Sequence, residues 1–239
     1  MDLGLRGKVA LVTAASKGLG LATAFALAED GAKVVICARG SEALAAAEAD
    51  LAARTEVLAV AADVTDADAP RRLVEAAVER FGSLDILVAN AGGPPTGRSL
   101  DVDDERLLAA LNDNLLTSVR LVREAVPHMR SRGWGRICLI TSSSIKQPIP
   151  TLALSNTART GLWAWAKTAA ADLYGDGITL NLACPGSHAT DRMKDVKLEG
   201  PIGDPADFGR VVAFLCSDPA GFVSGTTLLV DGARSVGLT

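Results

Sequence analysis

Short apolar runs alternate with longer stretches of helical periodicity from one end of the chain to the other, and this alternation limits the fold more than any other feature. Seven runs read as strands: Lys8–Thr13, Lys33–Ala38, Glu56–Ala61, Leu84–Ala89, Arg136–Thr141, Ile178–Ala183 and Thr226–Val230. Helical patterns fill the intervals at 18–30, 41–53, 67–81, 103–131, 153–174 and 205–216. Such repetition calls for parallel strand pairing, because each helix carries the chain back across the sheet, and right-handed crossovers then place helices on both faces. The C-terminal ends of all strands gather on one rim, where sheets of this kind build their ligand sites. The Gly/Pro-dense stretches Gly92–Gly97 and Gly200–Pro205 read as loops of that rim.

A chain of 239 residues suits a single doubly wound core. Residues 1–239 are therefore read as one domain, with a short substrate loop at 187–204. Apolar residues make up 49% of the chain, with 23 glycines and only nine aromatic side chains, a composition expected where helices lie close against a parallel sheet. A net charge of −4 with acids and bases interspersed supplies no basic face, which argues against a nucleic-acid partner. Cys37, Cys138, Cys184 and Cys216 each sit in an apolar segment, without CxxC spacing or a His/Cys cluster. They read as reduced core residues, and no metal site is expected. No signal-peptide pattern appears, and no apolar stretch approaches the roughly 18 residues of a membrane span, so a cytoplasmic protein without a membrane partner is expected.

The first strand runs directly into Thr13-Ala14-Ala15-Ser16-Lys17-Gly18-Leu19-Gly20, which opens a helix. Backbone N–H groups of such a loop, with the positive end of the helix behind them, form a site for a pyrophosphate. Dinucleotide folds commonly end the second strand with an acid that accepts the ribose 2′-hydroxyl. Here Ala38 stands at that point, followed by Arg39. An acid would repel a 2′-phosphate, whereas Arg39 and Lys17 can clamp it from two sides. The expected cofactor is NADP(H).

The loop spacing resembles the TGxxxGxG motif of the short-chain dehydrogenase/reductase family, with Ala14 in place of the first glycine, a change compatible with an ordinary φ at that position. Asp63-Val64 match the family's adenine-contacting pair, and Asn90-Ala91-Gly92-Gly93 its Asn-Ala-Gly turn beneath the nicotinamide side. Pro185-Gly186 and Thr190 resemble the segment that contacts the nicotinamide carboxamide, and Val230-Asp231-Gly232 match the closing strand. The likeness covers the chain apart from 190–203, where related enzymes carry a longer lid. It implies a Rossmann-type α/β fold, a doubly wound seven-stranded parallel sheet with helices on both faces. It also implies a small-molecule carbonyl or alcohol substrate, and a homo-oligomer, expected to be a tetramer paired through helices 103–131 and 153–174 with Leu162 and Trp163 on their apolar faces.

In that family a Ser and a TyrxxxLys pair carry out the chemistry with an Asn on the long middle helix. Ser142 and Asn114 occupy the serine and asparagine positions, but Ser155 stands where tyrosine belongs and Arg159 where lysine belongs. An aliphatic hydroxyl is a far weaker acid than a phenol, so Ser155 is not expected to donate the same proton. Arg159 keeps the charge and could still reach the nicotinamide ribose. Spacing of i, i+4 puts Ser155 and Arg159 on one helix face, where together they could hold a carboxylate, phosphate or carbonyl oxygen. His188, two residues past Gly186, is the best alternative donor. Lys146 is a possible anion contact, and His128 reads as structural. The expected activity is that of an NADP(H)-dependent oxidoreductase similar to 3-oxoacyl-thioester reductases, with an altered proton donor. A lyase, dehydratase or isomerase using Ser142, Ser155, Arg159 and His188, or a cofactor-binding regulatory protein, stays open as an alternative.

Overall fold

The computed structural model describes residues 1–193 and 200–237. Its seven strands are β1 (Val9–Val12), β2 (Lys33–Ala38), β3 (Val57–Ala61), β4 (Ile86–Ala89), β5 (Gly135–Ile140), β6 (Ile178–Pro185) and β7 (Thr227–Val230). They form one sheet in the order β3-β2-β1-β4-β5-β6-β7 with every neighbouring pair parallel. Strands β1, β4 and β5 are buried at every residue, as continuous apolar runs covered on both faces must be. One face packs α1 (Gly18–Glu29), α2 (Ser41–Ala52) and α7 (Pro205–Leu215) over a core that includes Leu27, Ile36, Phe208 and Val212. The other face carries α3 (Ala69–Phe81), α5 (Thr117–Arg132) and α6 (Ala153–Tyr174) around Leu73, Leu87, Leu121 and Leu180. Strand order reverses between β1 and β4, which opens the crevice where ligands of doubly wound sheets bind.

The structure departs from the sequence reading in places that matter for the site. Residues 103–131 do not form one helix: α4 (Asp104–Leu111) leads into a π-helical turn at Asn112–Leu116 before α5 begins. Thr117 causes the switch locally, since its N–H and its Oγ1 both donate to the Asn112 carbonyl five residues back, the latter at 3.0 Å. Such a turn adds a residue to the helical repeat and re-aims the side chains within it, and Asn114 inside it is only 3% exposed. Leu162, expected on an outward pairing face, is instead 1% exposed within the α6 core. Trp163 lies under the Lys146 ammonium, 4.0 Å from its ring centroid. Of the expected substrate loop 187–204, residues 194–199 lie outside the described residues. Among the described residues no helix is long and apolar enough to cross a membrane, and all four cysteines are free and buried.

One buried carboxylate joins three elements. Asp85, 1% exposed at the entry to β4, accepts the Val9 N–H at 2.9 Å and the Ser83 hydroxyl at 3.0 Å through Oδ2. Its Oδ1 meets Arg132 Nε at the end of α5, also at 2.9 Å. Asp85→Ala strips a buried N–H of its acceptor and is expected to cost about 1–3 kcal/mol in denaturant unfolding. A change within about 0.5 kcal/mol, as for an ordinary surface position, would contradict this account.

Candidate active site

The crevice between β1 and β4 is closed at its base by a reciprocal pair of hydrogen bonds. Thr13 Oγ1 donates to the Asn90 carbonyl at 2.7 Å and accepts the Asn90 N–H at 2.8 Å. Asn90 Nδ2 then donates to the Ala14 carbonyl at 3.3 Å, so the first loop and the end of β4 are held as one unit. Gly20 is fixed by the same contacts: a methyl group there would lie 2.5 Å from the Ala14 carbonyl oxygen and 2.9 Å from Asn90 Nδ2. Ala15 N–H donates to the Cys37 carbonyl at 3.0 Å, which brings the loop bearing Ser16, Lys17, Gly18 and Leu19 beside the Arg39 end of β2.

The N-terminus of α1 is left for a ligand. No side chain caps it and no acid stands in its first turn, whereas α4 and α7 are capped by Asp103 and Asp204. Orphan N–H groups at an uncapped helix start suit an anion. Ala14, however, departs from expectation. Its φ is +48°, in the left-handed region that glycine reaches freely and an L-residue enters at a cost.

Arg39 is not free as the sequence suggested, but pairs with Asp63 at 3.7 Å. Hydrogen bonds from the Thr65 N–H and hydroxyl, and secondarily the charge of Arg39, hold the Asp63 carboxyl below its ordinary range. The pair is exposed enough to contribute little stability and to open for a ligand. Val64 beside it is buried. Along the rim, space is open over Gly92, next to Ala91. Gly186 packs where a methyl would meet Asp231 Cβ at 2.7 Å, and the Thr190 N–H donates to the His188 carbonyl at 2.8 Å. Pro185 ends β6 just before them.

Arg159 and Asn114 meet at the end of β5 beside Ser142, with Ser155 on the same helix as Arg159. Arg159 is 9% exposed and Ser155, one turn earlier on α6, is 6% exposed. The Arg159 guanidinium donates to the Thr141 carbonyl through Nη1 and to Asn114 Oδ1 through Nη2, the latter at 3.1 Å. Among the described residues, Arg159 Nε and Asn114 Nδ2 have no hydrogen-bond partner, nor does the Ser144 hydroxyl. Ser142, next to Thr141, accepts the Ser144 N–H at 3.1 Å, which leaves its own O–H free to donate. Burial, and secondarily the charge of Arg192, push the Arg159 pKa down to about 10, so the group remains a cation at neutral pH.

Two expectations fail here for packing reasons. His188 does not stand free in its loop: it is 4% exposed, lies edge-on to Phe208 with ring centroids 5.3 Å apart, and packs against Gly203. Its Nδ1 is 3.2 Å from the Gly186 carbonyl. These contacts tie the side chain to the loop after β6 and to α7. Lys146 is drawn onto Trp163. Sequence reading also missed Arg192. Its guanidinium occupies the space over Gly93 that a side chain there would need, so it reaches from the loop after β6 to the loop after β4. It stands in a stretch without pattern, and nothing in its spacing marks it.

Residues 8–199 match the family model described as short chain dehydrogenase. L-rhamnose 1-dehydrogenase (NAD(P)(+)) of Azotobacter vinelandii is 37% identical, with 97% of this chain and 98% of that protein covered. Dehydrogenase/reductase SDR family member 4 of Sus scrofa is 34% identical over 97% of this chain and 88% of its own length. Among solved structures, the L-sorbose reductase of Gluconobacter frateurii, complexed with NADPH and L-sorbose, superimposes with a TM-score of 0.94 at 31% identity, covering all of both chains.

The strained loop gives a direct test. Ala14→Gly relieves a left-handed alanine at the cost of a more flexible unfolded chain, and the balance is expected to raise stability by up to about 1 kcal/mol. Chemical denaturation measures it, and a loss of stability would show that position 14 carries no strain.

Proposed function

This chain belongs to the short-chain dehydrogenase family, and we propose that it is an NADP(H)-dependent oxidoreductase acting on the carbonyl or alcohol group of a small molecule, with a reacting end rebuilt around Arg159. The observation that carries this reading is the uncapped, acid-free start of α1 beside Arg39 and Lys17, on a loop locked to Asn90. The bound NADPH of the related sorbose reductase supports the same cofactor.

The residues present fit such a cofactor. The N–H groups of residues 16–20 would hold the pyrophosphate, and Arg39 and Lys17 the 2′-phosphate, with Asp63 and Val64 beside the adenine. Thr13, Asn90, Ala91 and Gly92 would line the nicotinamide side with Pro185, Gly186 and Thr190. When bound, NADPH supplies a hydride to the substrate carbon. The chain's own residues do the rest. The free O–H of Ser142 donates to the substrate oxygen, and Ser155, in the place of the family's tyrosine, adds a second hydroxyl. Arg159, pinned by Thr141 and Asn114, sets a fixed positive charge where negative charge develops on that oxygen, which is electrostatic stabilisation without reorganisation. His188 serves as a positioning residue that holds the Gly186–Thr190 loop. Neither serine acidifies readily, so the proton that completes reduction comes from water. The unpartnered Asn114 Nδ2 is placed to orient that water. In this reading a 3-oxoacyl thioester is one suitable substrate type.

We also read the protein as a cytoplasmic homo-oligomer, a tetramer, formed by a single domain with 187–204 as its substrate loop. Free buried cysteines support the compartment, and the exposed apolar residues Leu108, Leu116, Phe214 and Phe222 support association.

Titrating the protein with NADPH and with NADH tests the cofactor assignment. NADPH is expected to bind at least about tenfold more tightly, and Arg39→Ala to remove most of that preference, since a charged hydrogen bond contributes about 1.5–3 kcal/mol. Equal affinities, unchanged in Arg39→Ala, would refute it.

A further inference from the structure

The end of β5 is flanked by two guanidinium groups, and the partners of the deeper one, Arg159, are neutral oxygens among the described residues. Arg159 reaches it from α6 and spends two N–H groups on the Thr141 carbonyl and the Asn114 amide oxygen. Its Nε stays unpartnered although the residue is nine-tenths buried. Arg192 arrives from the other side, laid across Gly93 after the loop from β6. In the sheet, β5 lies between β4 and β6, so a side chain that runs from the β6 loop to the β4 loop passes over the β5 end where Ser142 stands. The two cations are close enough for the charge of Arg192 to depress the Arg159 pKa further, after burial. A buried cation usually finds an acidic partner. Both partners that the structure gives Arg159 are amide oxygens.

We propose that this pair of arginines makes the cleft selective for substrates that carry a carboxylate, which Arg159 and Arg192 receive between them beside the Ser142 hydroxyl. A planar guanidinium matches a carboxylate in shape and donor spacing, and Arg159 Nε–H and Asn114 Nδ2–H are buried donors without a partner among the described residues. The location separates this anion site from the cofactor's phosphates, which the reading above assigns to the α1 N-terminus and the β2 end on the far side of β4. Oxoacids and hydroxyacids of short chain are the class that combines a carboxylate with an adjacent reducible or oxidisable carbon. The inference rests on reading the cleft as the reductase site, but binding of a carboxylate is measurable without turnover.

Isothermal titration with 2-oxobutanoate, its methyl ester and inorganic phosphate, on the protein alone and saturated with NADPH, tests it. The acid is expected to bind at least about tenfold more tightly than the ester, the usual loss for one charged hydrogen bond. Arg192→Gln, at an exposed position whose loss does not threaten folding, should erase that difference while the ester's affinity stays the same. Arg159→Lys, which keeps the charge and loses the fork, should weaken the acid more than the ester. Equal affinities of acid and ester, or no binding of the acid at millimolar concentration, would overturn the proposal. If phosphate binds as well as the acid and Arg192→Gln weakens NADPH instead, the arginines serve the cofactor and the proposal also falls. NADPH titration in the same series reports separately on the cofactor reading.

Discussion

The arrangement of the cleft depends on one clasp, the Thr13 hydroxyl shared with both the N–H and the carbonyl of Asn90. It sits at the reversal of strand order, where β1 and β4 would otherwise splay to admit a ligand. By satisfying two backbone groups with one buried side chain it removes the cost of leaving them unpaired in an apolar surrounding. The Asn90 amide extends the lock to the Ala14 carbonyl, and only glycine at position 20 lets helix α1 approach closely enough for the lock to form. The start of α1 and the turn beneath it are thereby aimed as a single rigid body. The left-handed backbone of Ala14 is the local strain that accompanies this geometry, held in place by the contacts around it.

Much of this was legible from residues alone. Strand β2 and helix α6 lie at the boundaries that their patterns imply, because Lys33–Ala38 and 153–174 are long, regular and flanked by glycine or polar breaks. The glycine loop is readable because it must follow a strand and start a helix. The π-helical turn was not readable, since Asn112–Leu116 contains no proline or glycine and the insertion arises from a Thr117 hydroxyl bonding backwards. The pairing of Arg39 with Asp63, the burial of His188 against Phe208 and the reach of Arg192 are all contacts between residues distant in sequence, which periodicity does not encode. Leu162 shows the same limit: an apolar helix position carries no label saying which of two faces is the core.

The reacting end follows from where polarity is left over. Around the β5 terminus the chain buries a guanidinium, an amide and a hydroxyl, and Arg159 Nε, Asn114 Nδ2 and Ser144 Oγ are without partners among the described residues. Unpartnered polar atoms in a packed interior cost stability, and a bound ligand is one means of completing them. The charge there is positive, and the hydroxyls of Ser142 and Ser155 are poor acids, which is why the proposed function assigns this end stabilisation of negative charge on a bound oxygen rather than proton delivery from a tuned phenol. Cofactor framework and reacting end thus follow different logics on the same rim.

Turnover of NADPH by the unaltered protein and by Ser155→Tyr/Arg159→Lys, side by side on one panel of short carbonyl compounds with and without a carboxylate, tests that distinction most directly. NADPH affinity measured on both proteins serves as the control for an intact fold. A phenol at the position of Ser155 would have to be accommodated where a buried hydroxyl now stands, and lysine would give up the planar fork that joins Thr141 to Asn114. The account predicts that the double change lowers turnover at least about tenfold while NADPH still binds. Turnover that instead rises in the double variant would contradict it, and would mean that the site is a worn version of the family's usual one rather than a rebuilt one.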